Sequence, residues 1–296
     1  MRLRSSEYKQ IAERMRSIQD QQRKLIARMR AIRYKIAILS SKGGVGKSFV
    51  TSNLAGALAV KGRSVGIFDA DFGGPSIHKM VGLPTGYGMH ARPDGSIVPP
   101  EIPPGIKVVS VGLLLPKDET PLIWRGSIKT GAIRELLAYT DWGSLDYLLI
   151  DMPPGTGDEQ LTIAQLIPKM SGVVLVTIPS DVSKAVVKKA ASFAKKMNIP
   201  VIGIIENMAY YRCPDGSINY IFGRGAAREI ADEYGIPYLG EIPIDPKIRE
   251  ANDRGEMFFL EYPESETSKR FLEIAEKIID IVENNKAKVP SNVEIE

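Results

Sequence analysis

Apolar positions along this chain follow two different periods. Near the N-terminus they recur at helical spacing: Tyr8, Ile11, Met15, Ile18, Gln22, Leu25, Met29 and Ile32 step by three or four, a heptad seam with one polar interruption at Gln22. Proline and glycine are absent there, so the stretch predicts a single helix, about 43 Å long over residues 5–33 at 1.5 Å per residue. From residue 35 the pattern changes to short apolar runs separated by helical segments. KIAILS (35–40), SVGIFDA (64–70), IKVVSVG (106–112), DYLLIDM (146–152), GVVLVTIP (172–179), PVIGIIENM (200–208) and YLGEIP (238–243) are near-continuous in Val, Ile and Leu. Such runs suit strands covered on both faces. Segments 48–61, 127–140, 157–168, 181–197, 224–234 and 265–283 read as the helices between them.

The alternation predicts a doubly wound α/β fold with a mostly parallel sheet and an N-terminal helical extension, with ligands expected at the carboxyl ends of the strands. The boundaries implied are an extension over 1–34, an α/β domain over 35–285 and a flexible tail over 286–296. Residues 82–105, rich in Gly and Pro, predict loop. In the last helical segment Phe271, Ile274, Ala275, Ile278 and Val282 share one face, while the other carries Glu273, Glu276, Asp280 and Glu283. A membrane-lying helix wants a cationic polar face, so this one is expected to dock on the sheet.

Charge changes the picture at one end only. Residues 1–35 carry eleven Lys/Arg against Glu7, Glu13 and Asp20, a net of +8, which leaves −4 for the rest of a chain whose total is +4. The basic arm is read as a helix docked on its own body or in a coiled coil with a second chain; the sharper alternative is a basic face for nucleic acid or anionic lipid. No apolar run approaches the roughly 18 residues that span a bilayer. The start MRLRSSEYKQIAERMR has no apolar core of a secretory signal, and the expected location is cytoplasmic. A single cysteine, Cys213, excludes a disulfide within the chain and a metal site built from several of its own cysteines.

The candidate chemistry centres on residues 42–48. Gly43, Gly44, Val45, Gly46, Lys47 and Ser48 follow an apolar strand and open a helix rich in small residues. Glycines there let backbone N–H groups point at phosphate oxygens, and the helix N-terminus adds partial positive charge. Lys47 would neutralise the β- and γ-phosphates of ATP and the Ser48 hydroxyl would ligate Mg²⁺. Asp69 and Asp71 end one strand and Asp151 ends another, at the same sheet edge in the usual topology. Asp71 is the choice to orient or deprotonate the attacking water, with Asp69 and Asp151 as outer magnesium partners. A second lysine, Lys42, stands at the mouth of the loop with no task that the motif itself assigns.

The loop with that extra lysine resembles the deviant Walker A motif of the SIMIBI class of P-loop NTPases, which includes MinD, ParA, the nitrogenase iron protein and the Mrp/ApbC (Nbp-type) iron–sulfur cluster carriers. Within the class, "DADFGGPSIHKMVGL", "PLIWRG", "DWGSLDYLLIDMPPGTGDEQLT", "ENMAYYRCP" and "LGEIPIDPKIREA" look like the Mrp/ApbC group. The resemblance covers about residues 35–260 and leaves the arm outside it. It implies an ATP-hydrolysing, Mg²⁺-dependent homodimer that binds iron–sulfur clusters and transfers them to apoproteins. In such a dimer Lys42 reaches the phosphates held by the other subunit, a cation delivered in trans only when the dimer closes. The resemblance also assigns Asn207 to the adenine edge and Pro243, Ile244 and Asp245 to a loop against the same ring. Trp124 and Arg125 are typical of the group without a role readable here. A positioning or regulatory ATPase like ParA or MinD, with the arm engaging nucleic acid, membrane or a protein partner, is the alternative.

Three departures matter. The residue after Ser48 usually bears a hydroxyl that helps hold the α-phosphate; here it is Phe49, so only its backbone can serve. Asp71 is followed by Phe72-Gly73-Gly74, which predicts a more mobile switch loop. Finally, the group usually carries C-x-x-C after the "ENM" strand, so that two subunits offer four thiolates to a bridging cluster. This chain reads Cys213-Pro214-Asp215-Gly216, and a dimer offers two cysteines where iron–sulfur clusters normally take four.

Overall fold

A computed structural model describes residues 5–40, 42–117, 126–155 and 157–287, with residues 5–12, 127 and 181–186 described in their backbone only. Trp124, Arg125 and most of the predicted tail lie outside these ranges. The chain begins with α1 (Ser5–Arg30), β1 (Ile32–Leu39), α2 (Lys47–Val60), β2 (Val65–Asp69) and α3 (Ile77–Met80). Short strands β3 (His90–Ala91), β4 (Ile97–Val98) and β5 (Glu101–Ile102) precede β6 (Ile106–Ser110) and α4 (Gly126–Tyr139). Then come β7 (Leu145–Asp151), α5 (Asp158–Leu166), β8 (Gly172–Thr177), α6 (Asp181–Lys196), β9 (Val201–Glu206), β10 (Tyr211–Arg212) and β11 (Ile218–Asn219). The last elements are α7 (Ala226–Tyr234), β12 (Tyr238–Glu241), α8 (Pro246–Arg254), α9 (Phe258–Glu261) and α10 (Glu266–Glu283).

Eight strands form one sheet in the order β12-β9-β8-β1-β7-β2-β6-β5, parallel throughout except for β5, which pairs antiparallel with β6. Successive residues of a strand face opposite sides. In β7, Leu148 and Ile150 accordingly enter one core with Leu25, Leu136, Ile163, Val187 and Ile230 of α1, α4, α5, α6 and α7. Tyr147 and Leu149 enter the other, with Leu54, Ile77, Phe258 and Phe271 of α2, α3, α9 and α10. This is why the strands read as unbroken apolar runs rather than alternating ones. The face of α10 anticipated from its spacing is buried along its length.

The arm is divided. Leu25 and Met29 are buried against the body, whereas Met15 and Ile18 on the same seam are 57% and 48% exposed. Arg28 reaches Asp141 at 2.5 Å, and the Lys24 ammonium lies 4.9 Å from the centre of the Tyr139 ring. The docked half therefore packs on α4. Strand β1 begins at Ile32, three residues before the predicted start, so the last residue of the seam belongs to the sheet, where it pairs with Leu145. Lys35 folds back over the end of the helix: its buried ammonium donates to the carbonyls of Ile32 at 3.0 Å and Met29 at 3.3 Å. Burial, and secondarily Lys169, hold the Lys35 pKa below its ordinary value. The region expected as loop contains the three short strands β3 to β5, too brief for periodicity to register.

If half of the arm is docked and half is not, truncations along the seam will have unequal effects. Leu25→Ala is expected to lower the free energy of unfolding by about 3 kcal/mol, and Met15→Ala to change it by less than about 0.5 kcal/mol. Urea unfolding of both variants measures this; equal small losses would mean that the arm is not packed on the body.

Candidate nucleotide site

Strand β1 ends at Leu39 in the middle of the sheet, and the chain returns as α2 from Lys47, so the intervening loop crosses the carboxyl edge between neighbours that also end there. The commoner phosphate-loop pattern has its first glycine at position 41, which is serine here and lies outside the described residues. A Cβ at Gly43 or Gly44 would meet no atom within 4 Å, so both glycines border open space. The cleft, of about 200 Å³, is lined by residues 42–49 together with Ser40, Asp71, Ser76, Met80 and Pro154.

Register brings the carboxylates in. Asp69 pairs with Asp151 across β2 and β7, and Ile38 pairs with Asp151 across β1 and β7. Asp151 is fully buried and has three partners: Lys47 Nζ at 2.7 Å from Oδ1, Thr51 Oγ1 donating to Oδ1 at 2.8 Å and Ser48 Oγ donating to Oδ2 at 2.6 Å. The Lys47 ammonium is itself buried, is ion-paired with Asp151 and has no further partner among the described residues, so donors are left over for an anion. Burial, and then the charge of Asp151, push the Asp69 carboxyl up to about 7, against hydrogen bonding by Ser110 and the pull of Lys47. Asp71 is also raised, chiefly by burial, with Lys47 opposing. Its Oδ1 accepts from the backbone N–H of Gly73 at 3.2 Å and Gly74 at 3.3 Å, and its own N–H donates to Asp69 Oδ1 at 3.2 Å. Phe72 is buried in the core, which anchors the loop that Gly-Gly was expected to loosen.

The other anticipated residues divide. Phe49 packs edge-on against Phe258 and Phe271, which confines its side chain to the core. Asn207 is buried beside the loop, its amide donating to Val45 O at 2.8 Å rather than standing free for a base. Pro243 is buried, Ile244 N–H donates to Tyr210 O at 2.7 Å, and Asp245 caps α8 by accepting from Lys247 N–H at 3.0 Å. Lys42 is half-buried at the mouth of the cleft. Cys213 is half-buried in the β10–β11 hairpin, remote in the chain from this site. Gly216 donates to Cys213 O at 2.9 Å and has φ 86°, a left-handed turn position that favours glycine. Sequence reasoning does not single out Thr51, although its three-residue spacing from Ser48 puts both hydroxyls on one helix face, a signal present in the sequence.

Do these residues fit Mg²⁺? The oxygens of Ser48, Asp69, Asp71 and Asp151 are the hard donors it prefers. Among the described residues no group of three His, Cys, Asp or Glu could hold a metal by itself. Magnesium usually keeps waters and phosphate oxygens rather than an all-protein cage, so the set fits an ion completed by a nucleotide.

A mostly parallel sheet with a glycine-rich loop after its central strand, a buried lysine lining the cleft at that loop and carboxylates on the neighbouring strand ends defines a P-loop nucleotide-binding protein. More narrowly, the chain belongs to the ParA-type NUBPL iron-transfer P-loop NTPase family, whose sequence model matches residues 31–279. It is 54% identical over 264 residues to an iron–sulfur cluster carrier protein of Saccharolobus solfataricus, covering 88% of each chain. A protein of the same description from Methanocaldococcus jannaschii is 50% identical, over 90% of this chain and 91% of the relative. Among solved structures, a nucleotide-binding protein from Archaeoglobus fulgidus in complex with ADP is 41% identical with a TM-score of 0.70, covering 80% of this chain and 92% of that one.

The buried Asp69–Asp151–Lys47 cluster makes a prediction about the nucleotide-free protein. Removing the ammonium leaves two carboxylates together in the interior, so Lys47→Ala is expected to lower stability by about 3 kcal/mol near neutral pH. A carboxyl whose folded pKa is raised weakens folding progressively as pH climbs above its unfolded value near 3.8. The deficit of Lys47→Ala should therefore be smaller at pH 5 than at pH 8, as read by chemical denaturation at both.

Proposed function

We propose that this protein is an ATP-binding and ATP-hydrolysing, Mg²⁺-dependent homodimeric iron–sulfur cluster carrier that works in the cytoplasm and delivers its cargo to apoproteins. The observation that carries the reading is the buried, ion-paired ammonium of Lys47, with no further partner among the described residues, in a cleft lined by the glycine loop of a member of the iron-transfer family. ATP and water would give ADP and phosphate. The backbone of Gly43, Gly44, Val45, Gly46 and Phe49 cradles the phosphates, Lys47 neutralises the β- and γ-groups, and Asp71 orients the attacking water. Ser48, Asp69 and Asp151 would hold Mg²⁺ through its water shell, and the ion would neutralise charge on the phosphates. Asn207 and the loop Pro243-Ile244-Asp245 face the base, which asks the Asn207 amide to exchange its bond to Val45 or to present its carbonyl oxygen.

Lys42 acts on the phosphates of the second subunit. A cleft of about 200 Å³ is smaller than the roughly 300–1,000 Å³ of most small-molecule sites, which supports a site that a second copy completes. Cys213 is the thiolate each subunit offers the cargo. Gly216 occupies a closed hairpin turn, so two subunits supply two thiolates, and the remaining ligands of a cluster come from a small thiol or the client. In this reading the ATPase domain starts with β1 at Ile32 rather than at residue 35 and runs to 285, with the preceding helix as its extension and 286–296 a tail. No helix among the described residues is long and apolar enough to cross a membrane. In the docked half of the basic arm Lys24, Arg28 and Lys35 are engaged with the body or with its own carbonyls, while Arg14 and Arg16 of the undocked half are exposed and remain available to the partner that the positioning-ATPase alternative invokes.

Two measurements test the proposal. Phosphate release with Mg²⁺ should fall at least roughly a hundredfold in Lys42→Ala while ATP still binds each subunit, because the cation arrives only in the closed dimer. Anaerobic reconstitution followed by iron and sulfide quantification should give a chromophore that Cys213→Ser loses. A wild-type protein that takes up no iron, or whose uptake ignores Cys213, would remove the carrier role.

A further inference from the structure

His78 lies in α3, just beyond the Asp71 loop, and has no part in the chemistry above. It is 1% exposed, as buried as the carboxylate it stands near. Its Nδ1 is 3.5 Å from Ser110 Oγ and its Nε2 is 3.0 Å from Thr85 Oγ1. Ser110, at the end of β6, donates its hydroxyl proton to Asp69 Oδ2 at 2.8 Å and accepts from Gly112 N–H at 3.1 Å. Asp69 in turn accepts the N–H of Asp71 through its other oxygen. The tautomer follows from this arrangement. Ser110 has one proton and, while Asp69 is ionised, gives it to Asp69, so toward His78 the hydroxyl accepts and Nδ1 carries an imidazole hydrogen. His78 and Ser110 then both donate toward Asp69.

The fold makes room for this ring at a specific place. A Cβ at Gly112 would lie 2.1 Å from His78 Cε1, so the imidazole occupies the space a side chain there would need. The backbone also ties His78 to the following loop, with Leu83 N–H donating to His78 O at 2.8 Å.

We propose that His78 is a positioning residue for the nucleotide site, which through Ser110 fixes the rotamer of Asp69 and thereby the backbone of Asp71. Asp69 accepts through both oxygens from two different elements, so its plane cannot turn without losing one of them. Buried hydrogen-bonded series of this kind impose orientation more than they add affinity. The effect falls chiefly on turnover, where a small displacement of the group that orients water matters, and less on nucleotide binding, where the loop 43–48 holds the phosphates and Asp69 is one of three residues around the ion. The inference rests on the role proposed for Asp71.

The test uses the full-length protein and three variants. His78→Phe fills the space without hydrogen bonds, His78→Asn keeps a nitrogen donor near Nδ1 while losing reach to Thr85, and Ser110→Ala removes the next member. His78→Phe is expected to lower kcat for ATP about tenfold with KM within about twofold, and His78→Asn to recover most of that loss. The double variant that combines His78→Phe with Ser110→Ala should be no slower than Ser110→Ala alone, because both changes break one series. Amide hydrogen exchange without nucleotide is the independent readout: peptides over 69–76 should exchange faster in His78→Phe, while those over 43–50 do not. If His78→Phe does not fold, Ser110→Ala and His78→Asn are judged by the same exchange pattern. Unchanged kcat and exchange, a loss confined to KM, or multiplying effects in the double variant would overturn the proposal. A wild type without ATPase activity would instead remove the hydrolytic reading, leaving exchange to decide the hydrogen-bonded series.

Discussion

The contact between Lys47 and Asp151 organises the rest of this structure. Burying an ammonium or a carboxylate alone is costly, and burying both is tolerated only where the geometry holds them together and other groups satisfy what remains. Here Asp151 collects Lys47, Ser48 and Thr51 at once, so the first turn of α2 is fastened to the tip of β7. The phosphate loop joins the end of β1, which pairs with β7, to that fastened first turn of α2. Its openness to an anion is the complement of the same constraint, because the ammonium retains donors that the described residues do not use.

Strand register is what sets the constraint. Parallel pairing of β1, β7 and β2 aligns Asp69 with Asp151 at one edge. That proximity, deep in the sheet, raises Asp69 and would be unfavourable without the Lys47 charge and the Ser110 hydrogen bond. A charged nucleotide and a divalent ion are chemically suited to such a place, because they change the balance of charge on which its geometry depends. The two cores on either side of the sheet supply rigidity: each strand end is held from both faces, leaving the exposed glycines of the Asp71 loop as the part free to respond.

The hairpin bearing Cys213 obeys a different logic. Asp215 accepts from the N–H and hydroxyl of Ser217, and Gly216 adopts the left-handed turn, so the hairpin closes on itself without a ligand. In a family described by iron transfer, the hairpin of this member is shaped by its own bonds and contains one sulfur, that of Cys213.

Much of this could be read from the sequence, and the parts that could not have a common cause. Strands, the face of α10, the phosphate loop and the carboxylates at strand ends were legible because they depend on local periodicity and on glycine, lysine and aspartate at short spacings. The short strands β3 to β5 were not, being briefer than any period. Nor could the seam of the arm say where docking stops, since Met15 and Leu25 are equivalent in pattern and differ only in whether a body lies beside them. Lys35 folding back over the end of α1, Asn207 bonding the loop, Phe72 anchoring the Asp71 segment and His78 reaching Ser110 were decided by tertiary structure alone. Each is a side chain finding a partner or a packing site that no local pattern marks, on an element that only the register and winding of the sheet bring near. The chain by itself determined which backbone it would form and where its charges stand along that backbone; the folded sheet determined which of those charges meet, because hydrogen bonds and ion pairs are matters of ångströms across elements far apart in the chain.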